Sequence, residues 1–192
     1  MRSIEDKLIK YALPYEIIGG PRFFERKEIK DILAYLKLAN GFHDDLSFER
    51  VINLPKRGVG EQSVKLIIDN ARDKKVSFFE SLESLSIENK LPGSLIIKTR
   101  PFIDIIKKTS DLIKKTSLED IGIYIIEETG YLKMLENEKN KLKKVENESR
   151  IDNLKEFVNA LSEFDNLDDF LEHVGLVNEN QKKTHSNSVK LM

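Results

Sequence analysis

Cysteine is absent from the 192 residues, which excludes a disulfide framework, thiolate metal sites and a cysteine nucleophile. No apolar run approaches the roughly 18 to 20 residues that a membrane span requires. Met1 to Tyr15 is charged where a signal peptide would be apolar, so a soluble, cytoplasmic protein is expected. An excess of one charge is missing too, since 32 Lys plus Arg stand against 33 Asp plus Glu, for a formal net charge of -1. No global positive field draws nucleic acid to this chain, and any such site must be local. The three histidines, His43, His173 and His185, have no spacing that would build a metal site. What the chain does hold is 40% hydrophobic and 34% charged residues, polar for a globular protein but rich enough in Ile, Leu and Phe to fold. Its length suits one domain, or one domain with the edges of another.

Helical periodicity dominates. Ser3 with Asp6 has the form of a capping box, which predicts a short helix through about Tyr11, closed by Pro14. Tyr15-Glu16-Ile17-Ile18 reads as a brief strand running into Gly19-Gly20-Pro21. From Lys27 to Ala39, the positions Ile29, Ile32, Leu33 and Leu36 follow the spacing of one buried helix face. Further helices are expected from about Asp45 to Ile52, from about Gln62 to Asp73, and around Leu95 to Lys114, where Pro101 must either start a helix or kink one. Ser77 with Glu80 and Ser117 with Asp120 resemble capping boxes, and Gly130 sits where a C-cap is expected. Lys139 to Glu148 is a charge run without apolar spacing, expected to be a solvated loop or a frayed helix end. Ile151, Leu154, Val158 and Leu161 mark the next amphipathic face, and Asn166 is placed to cap a last helix carrying Phe170, Leu171 and Val174. Asn178 to Asn187 is polar and loop-like, and Ser188 to Met192 alternates like a strand. The expected class is all-α, with eight or nine helices and two terminal strands of a sheet whose other strands lie outside this chain.

One segment carries chemistry. Pro55-Lys56-Arg57-Gly58-Val59-Gly60 stands immediately before a helix, so two glycines can bring backbone amides close to an anion while the helix N-terminus adds partial positive charge. Lys56 and Arg57 stand beside them. A Gly-x-Gly before a helix is also commonly a turn and cap with solvated neighbours, and spacing alone favours that structural reading. Elsewhere, Arg22, Arg26, Lys27 and Lys30 interleave with Glu25, Glu28 and Asp31 as helix-surface ion pairs would. Phe23 and Phe24 suit a core plug better than base stacking. Asp44-Asp45 and Asp168-Asp169 suit helix starts better than acid-base catalysis. Lys107-Lys108 and Lys114-Lys115 could extend a phosphate-tracking stripe or simply face solvent. No nucleophile-base pair or metal cluster emerges that would suggest an independent enzyme.

Tyr15 to Leu38, with Gly19-Gly20-Pro21-Arg22-Phe23-Phe24-Glu25-Arg26 at its centre, closely resembles the segment of UvrD/PcrA/Rep-like superfamily 1 DNA helicases that crosses from motor domain 2A into 2B. Further matches follow in order: Ser47 to Asn53, Pro55 to Gly60, Thr129-Gly130-Tyr131, and Arg150 to Glu156. The resemblance is weakest across Leu85 to Glu119 and Glu136 to Ser149. It implies that residues 1–23 flank motor domain 2A, that 24–187 form the helical 2B subdomain, and that 188–192 begin the returning 2A strand. It also implies a helix-hairpin-helix-like loop in which Lys56, Arg57, Gly58, Val59 and Gly60 contact the duplex DNA backbone at a single-strand/double-strand junction, by phosphates and shape and not by base readout. The implied parent is an ATP-dependent 3'-5' DNA helicase of repair or replication, with ATP and Mg2+ bound elsewhere in it and domains 1A, 2A and 1B as neighbours. The phosphate-cradling sequence G-x-x-x-x-G-K-[ST] is absent here, so no cofactor and no catalytic residue is expected in this segment, and it should be inactive alone. A protein-interaction or autoinhibitory module of the same kind of helicase is the alternative.

Overall fold

The computed structural model describes residues 23–180, the strands Tyr15–Ile17 and Val189–Leu191, and Lys7. The helix expected from Ser3 to Tyr11, its Pro14 stop, the Gly19-Gly20-Pro21 turn and the polar stretch after residue 180 lie outside the described residues. Nine α-helices occur among those described: α1 Lys27–Ala39, α2 Asp45–Val51, α3 Glu61–Lys74, α4 Phe78–Ile87, α5 Gly93–Leu112, α6 Leu118–Glu128, α7 Tyr131–Glu136, α8 Lys141–Leu161 and α9 Leu167–Asn180. A single 3-10 turn, Phe23–Glu25, precedes α1. The strands β1, Tyr15–Ile17, and β2, Val189–Leu191, pair in parallel with Tyr15 opposite Val189. Parallel strands need a crossover, and here the whole helical unit supplies it.

The centre of the fold is α1, which packs against α2, α5, α6 and α8. Ile29, Ile32, Tyr35, Leu36, Leu38 and Ala39 are fully buried along it. Enclosure on several sides explains why its acids are buried as well. Asp31 accepts hydrogen bonds from Arg50 Nε at 2.8 Å and Tyr131 Oη at 2.7 Å, and Glu28 accepts one from Asn153 Nδ2 at 2.6 Å. The expectation of surface ion pairs within α1 is therefore corrected, because these carboxylates tie α1 to α2, α7 and α8. Burial, and then the bond to Asp31, push the Tyr131 hydroxyl far above the ordinary tyrosine range, which keeps it a neutral donor.

An aromatic cluster fills the space between α1, α2, α4 and α5. Phe102 meets Tyr35, Phe48 and Phe79 edge-on at 6.3, 6.0 and 6.2 Å between ring centroids, a favoured arrangement for aromatic quadrupoles. Phe23 and Phe24 are core residues, with Phe24 edge-on to Phe170 at 6.2 Å. On the far side, a β-carbon added at Gly122 of α6 would meet Leu161 Cδ1 at 2.6 Å, so glycine lets α6 approach α8 closely.

Helix ends are close to where the sequence predicts them, with two exceptions, the first being that α9 runs on to Asn180 although residues 178–187 read as loop-like. Ser77 and Glu80 form a reciprocal capping box, Ser117 accepts from the Asp120 amide, and Asn166 from the Asp169 amide. Gly130 takes φ 76° between α6 and α7. Asp44 caps α2, while Asp45 accepts from the Phe78 amide and so caps α4. The second exception is the charge run at 139–148, most of which is the start of the 21-residue helix α8. Asn140 caps it by accepting from the Leu142 and Lys143 amides, and the buried Asn147 donates to the Leu135 carbonyl at 2.9 Å. A side-chain cap and one buried amide thus hold a helix that lacks an apolar stripe there. Helix α5 runs through Pro101.

Candidate nucleic-acid interface

Between α2 and α3 the chain turns over Phe102, and the two neighbouring cations go different ways. Lys56 is exposed. Arg57 is half-buried, with its guanidinium turned inward beneath the loop. Its Nη1 donates to the carbonyls of Val51 at 2.9 Å, Ile52 at 3.2 Å and Pro55 at 3.3 Å, and its Nη2 donates to Tyr35 Oη at 2.7 Å. The Tyr35 hydroxyl in turn donates to the Leu54 carbonyl. Arg57 also lies over the Phe102 ring, 5.1 Å from its centroid. A planar fork thus satisfies carbonyls at the C-terminal end of α2, where cations are favoured by the helix dipole. Burial raises the Tyr35 pKa, with the Arg57 charge opposing it.

The loop's backbone is sorted in the same way. Asn53 Oδ1 accepts from the amides of Arg57 at 2.7 Å and Val59 at 3.4 Å, and the Val59 side chain is buried in the core. By contrast, no hydrogen bond to the described protein engages the amides of Gly58, Gly60, Glu61 or Gln62. Gly60 is the N-cap of α3 and offers no side chain of its own. The described residues therefore hold an exposed turn in which inner amides are closed on Asn53 while outer ones stay open at a helix N-terminus, a place suited to an anion.

The glycines differ in what they contribute. Gly58 has φ 75°, a left-handed conformation that penalises any side chain. Gly60 is extended at φ -81° and an added β-carbon there would meet nothing within 4 Å. The turn itself does not require glycine there.

Three participants are invisible in the loop's own sequence. Tyr35 and Asn53 fix its shape, and Lys98 of α5 brings an exposed cation to it, with its Nζ 3.3 Å from where a β-carbon on Gly58 would stand. Lys98 lies three residues before Pro101 in a helix whose local signal is apolar spacing alone, so nothing in the sequence marks it. The lysine pairs downstream form no single stripe: Lys107 pairs with Glu83, Lys108 sits over the Tyr124 ring at 4.9 Å, and Lys114 and Lys115 line a separate cavity of about 270 Å³. Among the described residues, no three His, Cys, Asp or Glu side chains gather as a metal site, and no helix is long and apolar enough to cross a membrane.

A family model described as the UvrD-like helicase C-terminal domain matches residues 1–192. The chain belongs to this family. Over 201 residues it is 33% identical to DNA helicase II of Escherichia coli, with 100% of this chain and 27% of that protein covered. A probable DNA helicase II homolog of Rickettsia felis is 35% identical over 199 residues, covering 100% of the chain and 29% of the relative. The ATP-dependent DNA helicase PcrA of Bacillus subtilis is 36% identical over 167 residues, covering 85% of the chain and 22% of the relative. The chain thus spans under a third of the length of these curated relatives. Among the described residues, the α2–α3 turn combines unengaged amides with the exposed Lys56 and Lys98.

Proposed function

We propose that this UvrD-like domain is the 2B subdomain of an ATP-dependent 3'-5' DNA helicase, flanked by short parts of motor domain 2A, and that it contacts the phosphate backbone of duplex DNA at the unwinding junction. The observation that carries this reading is the open turn at Gly58 and Gly60, with unengaged amides at the start of α3 and Lys56 exposed beside it. A net charge of -1 supports only local, modest attraction, with affinity on the order of 10⁻⁴ to 10⁻⁶ M at physiological salt. The residues present do not fit ATP, because the phosphate-cradling sequence is absent, and ATP and Mg2+ belong to the rest of the parent in this proposal. The chain alone should accordingly show no DNA-stimulated ATP hydrolysis.

A second reading is a protein-interaction or autoinhibitory module of the same helicase. Charge reversal separates the two. Lys56→Glu should weaken binding of a labelled duplex while leaving association with the parent motor unchanged. Loss of motor association with duplex binding intact would favour the second reading instead.

A further inference from the structure

Resting on that reading, we infer that the loop's two phosphate-facing cations are Lys56 and Lys98, and that Arg57 is a positioning residue acting through the backbone it ties down. The sequence presents Lys56 and Arg57 as an adjacent basic pair, equivalent by composition. Their surroundings are not equivalent. Arg57 directs Nη1 to three carbonyls and Nη2 to a buried tyrosine hydroxyl, so a phosphate reaching it would have to displace internal partners. Lys98 is exposed, and its ammonium lies close to Gly58, the loop glycine in the left-handed conformation.

The division of labour follows from bonding capacity. A guanidinium presents a rigid fork of donors, suited to holding several carbonyls at once, whereas an ammonium is a mobile point charge suited to a phosphate that arrives without fixed register. Asn53 completes the device from the other side, engaging the Arg57 and Val59 amides while those of Gly58 and Gly60 make no hydrogen bond among the described residues. Arg57 and Asn53 together decide which amides the DNA meets.

Salt dependence distinguishes direct binding from positioning, because removing one cation from a phosphate flattens the plot of log affinity against log salt by about 0.9. A labelled duplex should be titrated at several salt concentrations with the 192-residue chain and five variants, each checked for helicity. Lys56→Ala and Lys98→Ala should each weaken binding and flatten the slope by about 0.9. Arg57→Ala should weaken binding with the slope unchanged, and Arg57→Lys, which keeps the charge but not the fork, should behave the same way. Asn53→Ala, at an exposed uncharged position, gives the same readout should the Arg57 variants fold poorly. A slope flattened by about 0.9 in Arg57→Ala, or full rescue by Arg57→Lys, would overturn this inference alone. An unchanged slope in Lys98→Ala would remove Lys98 from it and so overturn it as stated. Absence of duplex binding by the wild type would overturn the proposed function as well.

Discussion

Two stretches with adjacent charged residues, 25–31 at the start of α1 and 53–62 running from the α2–α3 loop into α3, differ in what the fold does with those charges. In the first, the acids at positions 28 and 31 are buried and meet partners from α2, α7 and α8. In the second, Arg57 is closed on the protein while Lys56 is exposed and the amides of Gly58 and Gly60 make no hydrogen bond among the described residues. Charge alone therefore does not mark a binding surface. The presence or absence of internal partners does, because a group whose hydrogen bonds are already made gains little from an arriving ligand.

The sharpest way to test this contrast is to break the closed network. Asp31→Ala should be the most damaging substitution, costing on the order of 3 to 5 kcal/mol in chemical denaturation, because Arg50 and Tyr131 both lose their shared buried partner. Arg57→Ala should cost about 1.5 to 3 kcal/mol, as the carbonyls of Val51, Ile52 and Pro55 lose a charged donor at a half-buried site. Gly58→Ala should cost about 1 to 2 kcal/mol from its left-handed backbone, while Gly60→Ala should cost no more than about 1 kcal/mol, the loss of a tolerated N-cap. Lys56→Ala should lie within about 0.5 kcal/mol of wild type, since it breaks no internal bond. Equal losses for Lys56→Ala and Arg57→Ala would erase the distinction between open and closed cations.

The smallest effect concerns Glu88, an exposed acid whose bonds from Lys74, Lys90 and Ser84 lower its pKa from 4.5 to about 2. A carboxylate with a depressed folded pKa contributes stability above its ordinary value and loses it as pH falls through the folded one. Glu88→Gln should therefore narrow its difference from wild type between about pH 4.5 and pH 2 in thermal melts. A difference that stays constant across that window would contradict the assignment.

Much of the helical order is readable in the residues themselves, for physical reasons that can be named. The apolar spacing of Ile29, Ile32, Leu33 and Leu36 marks α1 with the bounds Lys27–Ala39, and Ser77, Ser117 and Asn166 mark three helix starts. The beginning of α8 is hidden because its Asn140 cap precedes residues without an apolar stripe. The loop's position is readable from Gly58 and Gly60, but the inward turn of Arg57 is not. It depends on Tyr35, which lies in another helix, and the approach of Lys98 depends on how α5 packs. Composition identifies a charged group, whereas its availability is a property of tertiary packing.

The central claim, that duplex DNA meets the open amides of the α2–α3 turn, is tested most directly by following backbone amide signals of the isotope-labelled 22.2 kDa chain during titration with a short duplex. The amides of Gly58, Gly60, Glu61 and Gln62 should shift with added duplex, while those of Arg57 and Val59, held by Asn53, should move much less. Saturable shifts confined to other helices, with these four amides unmoved, would contradict it.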